Sequence, residues 1–181
     1  MIAAPIPKNE KSRLMALAGY QILRTKIERE FDDITEEAAH VCETEISAVS
    51  LIGTNFQWFK SIQGHDVKET ARNISFCGHA KMTPDEPFVV EDATKDIRFH
   101  DNPLVTNDPN IRFYAGVPLV DKEGHALGTL CVIHPKAKNI NEKQMAKLKL
   151  LARQVMDLIS NRAVKHMVNN GSTNRVMVAS H

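Results

Sequence analysis

Cys77 and His79 stand two residues apart in the stretch SFCGHA, Ser75–Ala80, and they carry most of the chemistry this sequence offers. A thiol near an imidazole can be a nucleophile with its base, half of a metal site, a cofactor attachment point, or part of a pocket wall. Helical residues two apart do not face each other, so a nucleophile and base here would have to meet through a substrate. Metal binding needs three or four convergent ligands, and Cys-x-His is not a usual zinc spacing. His100 and Asp101 would join such a site only if their loop folded back. Ser75 suits the N-cap of a short helix. Phe76, Cys77 and Gly78 would then form its first turn, where free backbone donors favour a thiolate or a docked anion. The plainer alternative is a Cys77 that packs as a small hydrophobe and a His79 that bonds a neighbouring loop.

The elements around this motif follow from apolar spacing. Leu14, Leu17, Ala18, Tyr20, Ile22 and Leu23 predict a helix over Lys11 to Leu23, and Ile34, Ala38, Val41 and Cys42 predict another over Phe31 to Cys42. Strands are expected over Ile46 to Gly53 and Gln57 to Ile62, with Asn55 at the turn, and a third at PFVVED. Ala93 to Asn110 is rich in Asp, Asn and Pro and reads as a long functional connection. Ile111 to Val120 and His125 to His134 predict two central strands, joined by a tight turn in which Gly124 takes a positive φ. Asn141 with Gln144 forms a capping box, and Ile140 with Met145 a hydrophobic staple, for a last helix striped by Leu148, Leu151, Val155 and Ile159. Gly171 is the expected stop. The order predicts an α+β domain with an antiparallel sheet: residues 1–10 an extension, 11–168 the domain, 169–181 a flexible tail.

At 181 residues and 43% hydrophobic content the chain can bury a core without staples. Its 23 basic and 22 acidic side chains leave a formal charge of +1, which supplies no field for a polyanion and argues against nucleic acid as a partner. Cys42, Cys77 and Cys131 are odd in number and widely spaced, which fits a reducing compartment. The N-terminal stretch lacks the apolar core of a signal peptide and no apolar run approaches spanning length, so a cytoplasmic protein without membrane contact is expected.

Alternation puts Phe113, Ala115 and Val117 on one strand face and Arg112, Tyr114 and Gly116 on the other. Thr129 and Cys131 share a face, but which one is open. Trp58, the only tryptophan, suits a core, a dimer contact or a pocket equally. Asp92, Arg98, Phe99 and Asn102 bracket the connection that would close a site; Asp92 as a cap and Arg98 paired with Asp96 or Asp101 are the surface alternatives.

Seven stretches, RLMALAGYQIL, FDDIT, QWFKS, SFCGHA, VVEDATKDIRFHDNPLV, IRFYAGVPLV and GTLCVI, followed by a helix ending LARQV, run in order from Arg13 to Val155. Together they resemble a GAF domain. The resemblance departs at Arg24, Gly53 and His134, where acidic residues are usual, and at Ala71, where proline is. It implies a profilin-like antiparallel sheet of about five or six strands, with terminal helices on one face and short helices and a loop over a ligand pocket on the other. It makes Trp58, Phe76, Cys77, His79, Asp92, Arg98, Phe99, Asn102, Tyr114, Thr129 and Cys131 the pocket candidates. The function it implies is a non-enzymatic, small-molecule-binding regulatory sensor in signal transduction. Such a domain requires no cofactor, pairs as a homodimer through its terminal helices, and here would hand its signal to a separate output protein. The alternative is a thiol enzyme of the free methionine-(R)-sulfoxide reductase type, which Cys77 resembles by position; the loop that would carry a further cysteine, Ala93 to Asn110, has none. Cys77-Gly78-His79 is also similar to a bilin attachment site, without the longer signature. A dimerisation module whose cavity is filled by Trp58, Phe76, Phe99 and Tyr114 is a third expectation.

Overall fold

A computed structural model describes residues 1–177. In chain order the elements are α1 (Glu10–Gly19), α2 (Arg29–Cys42), β1 (Ile46–Ile52), β2 (Phe56–Gln63), β3 (Glu69–Ala71), α3 (Phe76–Ala80), β4 (Phe88–Val90), α4 (Pro103–Thr106), β5 (Phe113–Val120), β6 (Ala126–His134) and α5 (Glu142–Met177). The six strands form one antiparallel sheet in the order β3-β2-β1-β6-β5-β4. Its central strands β1, β6 and β5 are buried almost throughout, because both faces of the sheet are covered.

Side-chain alternation divides the interior into two cores. Val49, Leu51, Phe113, Ala115, Val117, Leu130 and Val132 point to one face, where Leu17 of α1, Phe31 and Ala38 of α2, and Leu148, Leu151, Val155 and Ile159 of α5 pack on them. Ala48, Ile52, Tyr114 and Cys131 point to the other, under Phe76, Cys77 and Ala80 of α3 and Phe99 and Val105 of the long connection. The α+β architecture with terminal helices on one face is therefore as expected.

The capping box of α5 is present: Asn141 Oδ1 accepts from the Gln144 amide and Gln144 Oε1 from the Asn141 amide, at 2.9 and 3.1 Å. Gly171 does not stop this helix, which runs on to Met177. One interior glycine costs about 1 kcal/mol, too little to end a 36-residue helix. The rest of the expected tail, residues 178–181, lies outside the described residues. The first helix ends at Gly19, four residues early, because Gln21 and Arg24 take positive φ of 49° and 60° and the chain turns so that Ile22 enters the core. The connection from Ala93 to Asn110 holds more order than its composition suggests, namely a 3-10 turn over Ala93–Lys95 and the single helical turn α4.

Candidate functional site

Ser75 caps α3 as its sequence predicts, its Oγ accepting from the Gly78 amide at 2.9 Å. That bond engages one of the amides a bound anion would have used, and α3 has only five residues. The cap aims Cys77 at the middle of the sheet. There Cys77 Sγ lies 3.9 Å from Cys131 Sγ on β6 and accepts from the Tyr114 hydroxyl at 3.2 Å. Tyr114 is also 3.5 Å from Thr129 Oγ1, which is 3.1 Å from Ser50 Oγ on β1. These five groups are 2% exposed or less. They form a small polar island in an apolar face.

The polar island sets its own proton order. Burial pushes the Cys77 thiol up, but hydrogen bonds from Cys131, Ser50, Thr129 and Tyr114 outweigh it and hold Cys77 below the usual thiol range. The bond to Cys77, then burial, pushes Cys131 well up, and burial does the same for the Tyr114 phenol. Cys77 is thus the proton-losing member, with Cys131 and Tyr114 retained as donors. Gly116 makes room for this arrangement, since a Cβ there would run into the Tyr114 hydroxyl.

Aromatic rings roof the island. Phe76 stacks on Phe99 at 3.9 Å with planes 9° apart, and Tyr114 lies 5.3 Å from Phe76. Arg98 caps the stack, 4.8 Å above Phe88 and 5.3 Å from Phe99, and is held by Asp96 at 2.6 Å. Asn102 caps α4 through the Leu104 amide and donates to the Ile74 carbonyl at 2.9 Å, which ties the connection to the segment before α3. His79 does bond a neighbouring segment: its Nε2 reaches the Ile2 carbonyl at 2.9 Å, and its ring meets the edge of Phe99 at 4.9 Å. Burial holds this imidazole below its ordinary value.

A family model describing the GAF domain matches residues 26–159. The chain belongs to the GAF domain family. Over 157 residues it is 38% identical to a cyclic di-GMP phosphodiesterase of Pseudomonas aeruginosa, a match that covers 86% of this chain. The chain spans 27% of that relative's length. Among solved structures, the GAF domain of a phosphoenolpyruvate-protein phosphotransferase from Coxiella burnetii shares its fold at a TM-score of 0.64 and 14% identity, over 88% of this chain and 97% of that one. The blue-light-absorbing PixJ GAF domain of Thermosynechococcus elongatus does so at 0.61 and 12%, over 84% and 94%.

In this GAF domain the face expected to hold an open chamber is largely filled. The remaining cavity is about 50 Å³, lined by Cys77, Tyr114, Phe76, Gln57, Phe59, Leu104, Ile111 and Ile133 among others. A site for a drug-sized ligand needs about 300 Å³ or more. Larger depressions lie elsewhere, among them one of about 460 Å³ between α5 and the Pro84–Pro87 turn and one of about 670 Å³ along β2.

The structure brings together Phe76, Cys77, His79, Arg98, Phe99, Asn102, Tyr114, Thr129 and Cys131. Two candidates lie apart. Trp58 sits on the opposite sheet face, in the core under the terminal helices. Asp92 caps the Ala93–Lys95 turn through the Thr94 amide at 3.1 Å and pairs with Lys95 at 3.3 Å. The sequence reading missed Ser50, whose face is visible only once β1 is registered against Thr129.

It also missed a buried charge cluster at one end of the sheet. Arg13, Arg72 and Lys81 are 1%, 7% and 2% exposed, and the Glu10 carboxylate is their shared anion. Arg72 also holds the Gly53 and Thr54 carbonyls at 3.0 Å. Lys81 Nζ stands 3.8 Å from Glu10 with no hydrogen bond, and burial, then Arg72 and Arg13, draw its pKa down to about 8. The Glu10–Arg13 spacing of three was the one local signal available.

Proposed function

We propose that this GAF domain is a regulatory sensor in signal transduction, which receives a small molecule between the sheet and the roof formed by α3 and the Ala93–Asn110 connection. The observation that carries this is a cavity in an otherwise apolar face that Cys77 and Tyr114 line, with Cys131, Thr129 and Ser50 linked behind them. In the closed state the cavity takes only a molecule of a few heavy atoms. A larger ligand must part the Phe76–Phe99 stack, whose members belong to α3 and the connection. Binding then signals because it favours one arrangement of the roof over another.

The identity to a cyclic di-GMP phosphodiesterase supports second-messenger turnover as the output that this domain regulates. Val164 and Met167, exposed three residues apart on α5, support a homodimer paired through that helix. No helix among the described residues is long and apolar enough to cross a membrane, and three free buried thiols suit the reducing cytoplasm.

A thermal-shift screen of nucleotides, amino acids, haem and tetrapyrroles, and small oxyanions and gases tests the sensor. The expected result is a rise in Tm with at least one ligand that Phe99→Trp, by crowding the roof, abolishes. Absence of any shift, together with unchanged backbone NMR spectra, would overturn it. Turnover of methionine sulfoxide by the reduced protein, lost in Cys77→Ser, would establish the thiol-enzyme alternative instead.

A further inference from the structure

We infer that Cys77 and Cys131 are a peroxide-responsive dithiol, which a hydroperoxide small enough to enter the adjoining cavity converts to a disulfide that clamps α3 to β6. This deepens the sensor reading, on which its signalling meaning rests, by naming a stimulus for the same chamber.

The two sulfurs are 3.9 Å apart, and a disulfide brings them to about 2.05 Å. They sit on different elements, the first turn of α3 and the middle of β6, so the bond would lock roof to sheet. The cavity reaches Cys77 and Tyr114, and its volume of about 50 Å³ accommodates hydrogen peroxide but not a tripeptide disulfide. The Tyr114 hydroxyl, 3.2 Å from Cys77 Sγ, is placed to donate to a thiolate or to a departing hydroxide. The hydrogen bonds that favour the Cys77 thiolate point the same way.

The chemistry balances in two steps. The Cys77 thiolate attacks one peroxide oxygen: an S–O bond forms, the O–O bond breaks, and hydroxide leaves to be protonated to water. Cys77 is then a sulfenic acid, oxidised by two electrons. Cys131 sulfur attacks it, the S–S bond forms, the S–O bond breaks, and hydroxide leaves with the Cys131 proton as a second water. Overall two thiols and one peroxide give one disulfide and two waters.

Cys42 provides an internal control. It belongs to the other core, under α2 and α5, and burial pushes its thiol up to about 11. The test exposes the folded protein to hydrogen peroxide or to oxidised glutathione, then denatures, alkylates and maps the peptides. The expected result with peroxide is joint loss of the Cys77 and Cys131 thiols, a Cys77–Cys131 cross-linked peptide, and Cys42 fully alkylated; glutathione disulfide produces none of this. Cys131→Ser should stop at a Cys77 sulfenic acid trapped by dimedone, and Tyr114→Phe should slow cross-linking about tenfold. Full alkylation of all three cysteines after peroxide, or Cys42 oxidised as fast as Cys77, would overturn the inference. Should the serine variants not fold, peptide mapping of the natural sequence decides alone. The ligand screen on reduced protein separates the two readings: ligand binding without a cross-link removes the dithiol and keeps the sensor, while a cross-link without ligand binding keeps the dithiol and removes the wider ligand chamber.

Discussion

Glu10 is one carboxylate among three buried cations, so Glu10→Gln leaves Arg13, Arg72 and Lys81 to repel one another without a shared anion. The expected cost is about 3 kcal/mol at pH 7, measured by urea unfolding. Its pH dependence has a fixed sign. Burial opposes ionisation of Glu10, but the bonds from Arg13 and Arg72 prevail and bring its pKa from 4.5 to about 2 in the folded chain. The unfolded chain therefore takes up the proton first on acidification. The contribution is complete above 4.5 and is lost as the pH falls toward 2, so the gap between the natural protein and Glu10→Gln should close over that window. Lys81→Met has the opposite direction: it removes a buried cation that makes no hydrogen bond, and the unfolding free energy should rise by about 1 kcal/mol at pH 7. Alternation along β5 was enough to put Tyr114 opposite Phe113 and Ala115. It could not do the same for Trp58, because the face of a hairpin strand depends on its partner's register, and β1 and β2 shift register between Val49 and Ser50. Nor could spacing reveal that Cys77 and Cys131 meet, since that contact is made by folding α3 onto a strand far along the chain.

Among the elements, α4 is a single helical turn, and the turns around it complete the roof. They are held by Asn102, which both caps α4 and bonds the Ile74 carbonyl, so Asn102→Ala should destabilise the protein by about 1–2 kcal/mol. Amide exchange should quicken between residues 93 and 110 while β5 and β6 keep their protection. An increase spread evenly over the sheet would show that the roof does not open on its own. Long, strongly patterned elements were legible: α2, the two central strands and the start of α5 follow from periodicity and caps. The short ones were not. A three-residue strand such as β3 or a four-residue helix such as α4 has no period to detect, and both exist here because their backbone groups find partners in segments already packed.

At the scale of the molecule, the sheet separates two interiors with different work to do. The core beneath α1, α2 and α5 is aliphatic and aromatic and supplies stability; Leu151→Ala, fully buried there, should cost about 3 kcal/mol without changing peroxide chemistry across the sheet. The second interior is smaller and holds Cys77 and Cys131 under the roof of α3 and the connection. Assembly is tested on the remaining exposed part of α5. Val164→Glu combined with Met167→Glu should convert the proposed dimer to a monomer in sedimentation velocity while leaving the thermal unfolding of the sheet nearly unchanged. Among the residues whose burial is described, the last fully buried one of α5 is Ile159, and the helix continues 18 residues further to Met177. At 1.5 Å per residue that stretch is about 27 Å of rod, anchored near its start by Arg162 on Glu28 and the Gln21 carbonyl. Whatever is fused to its far end is therefore aimed as well as tethered. Adding two residues before Met177 would swing an attached reporter about 200° around the axis, whereas adding seven would return it to within about 20° of its original bearing. A series of single-residue insertions should make reporter output oscillate with helical pitch instead of fading smoothly with distance.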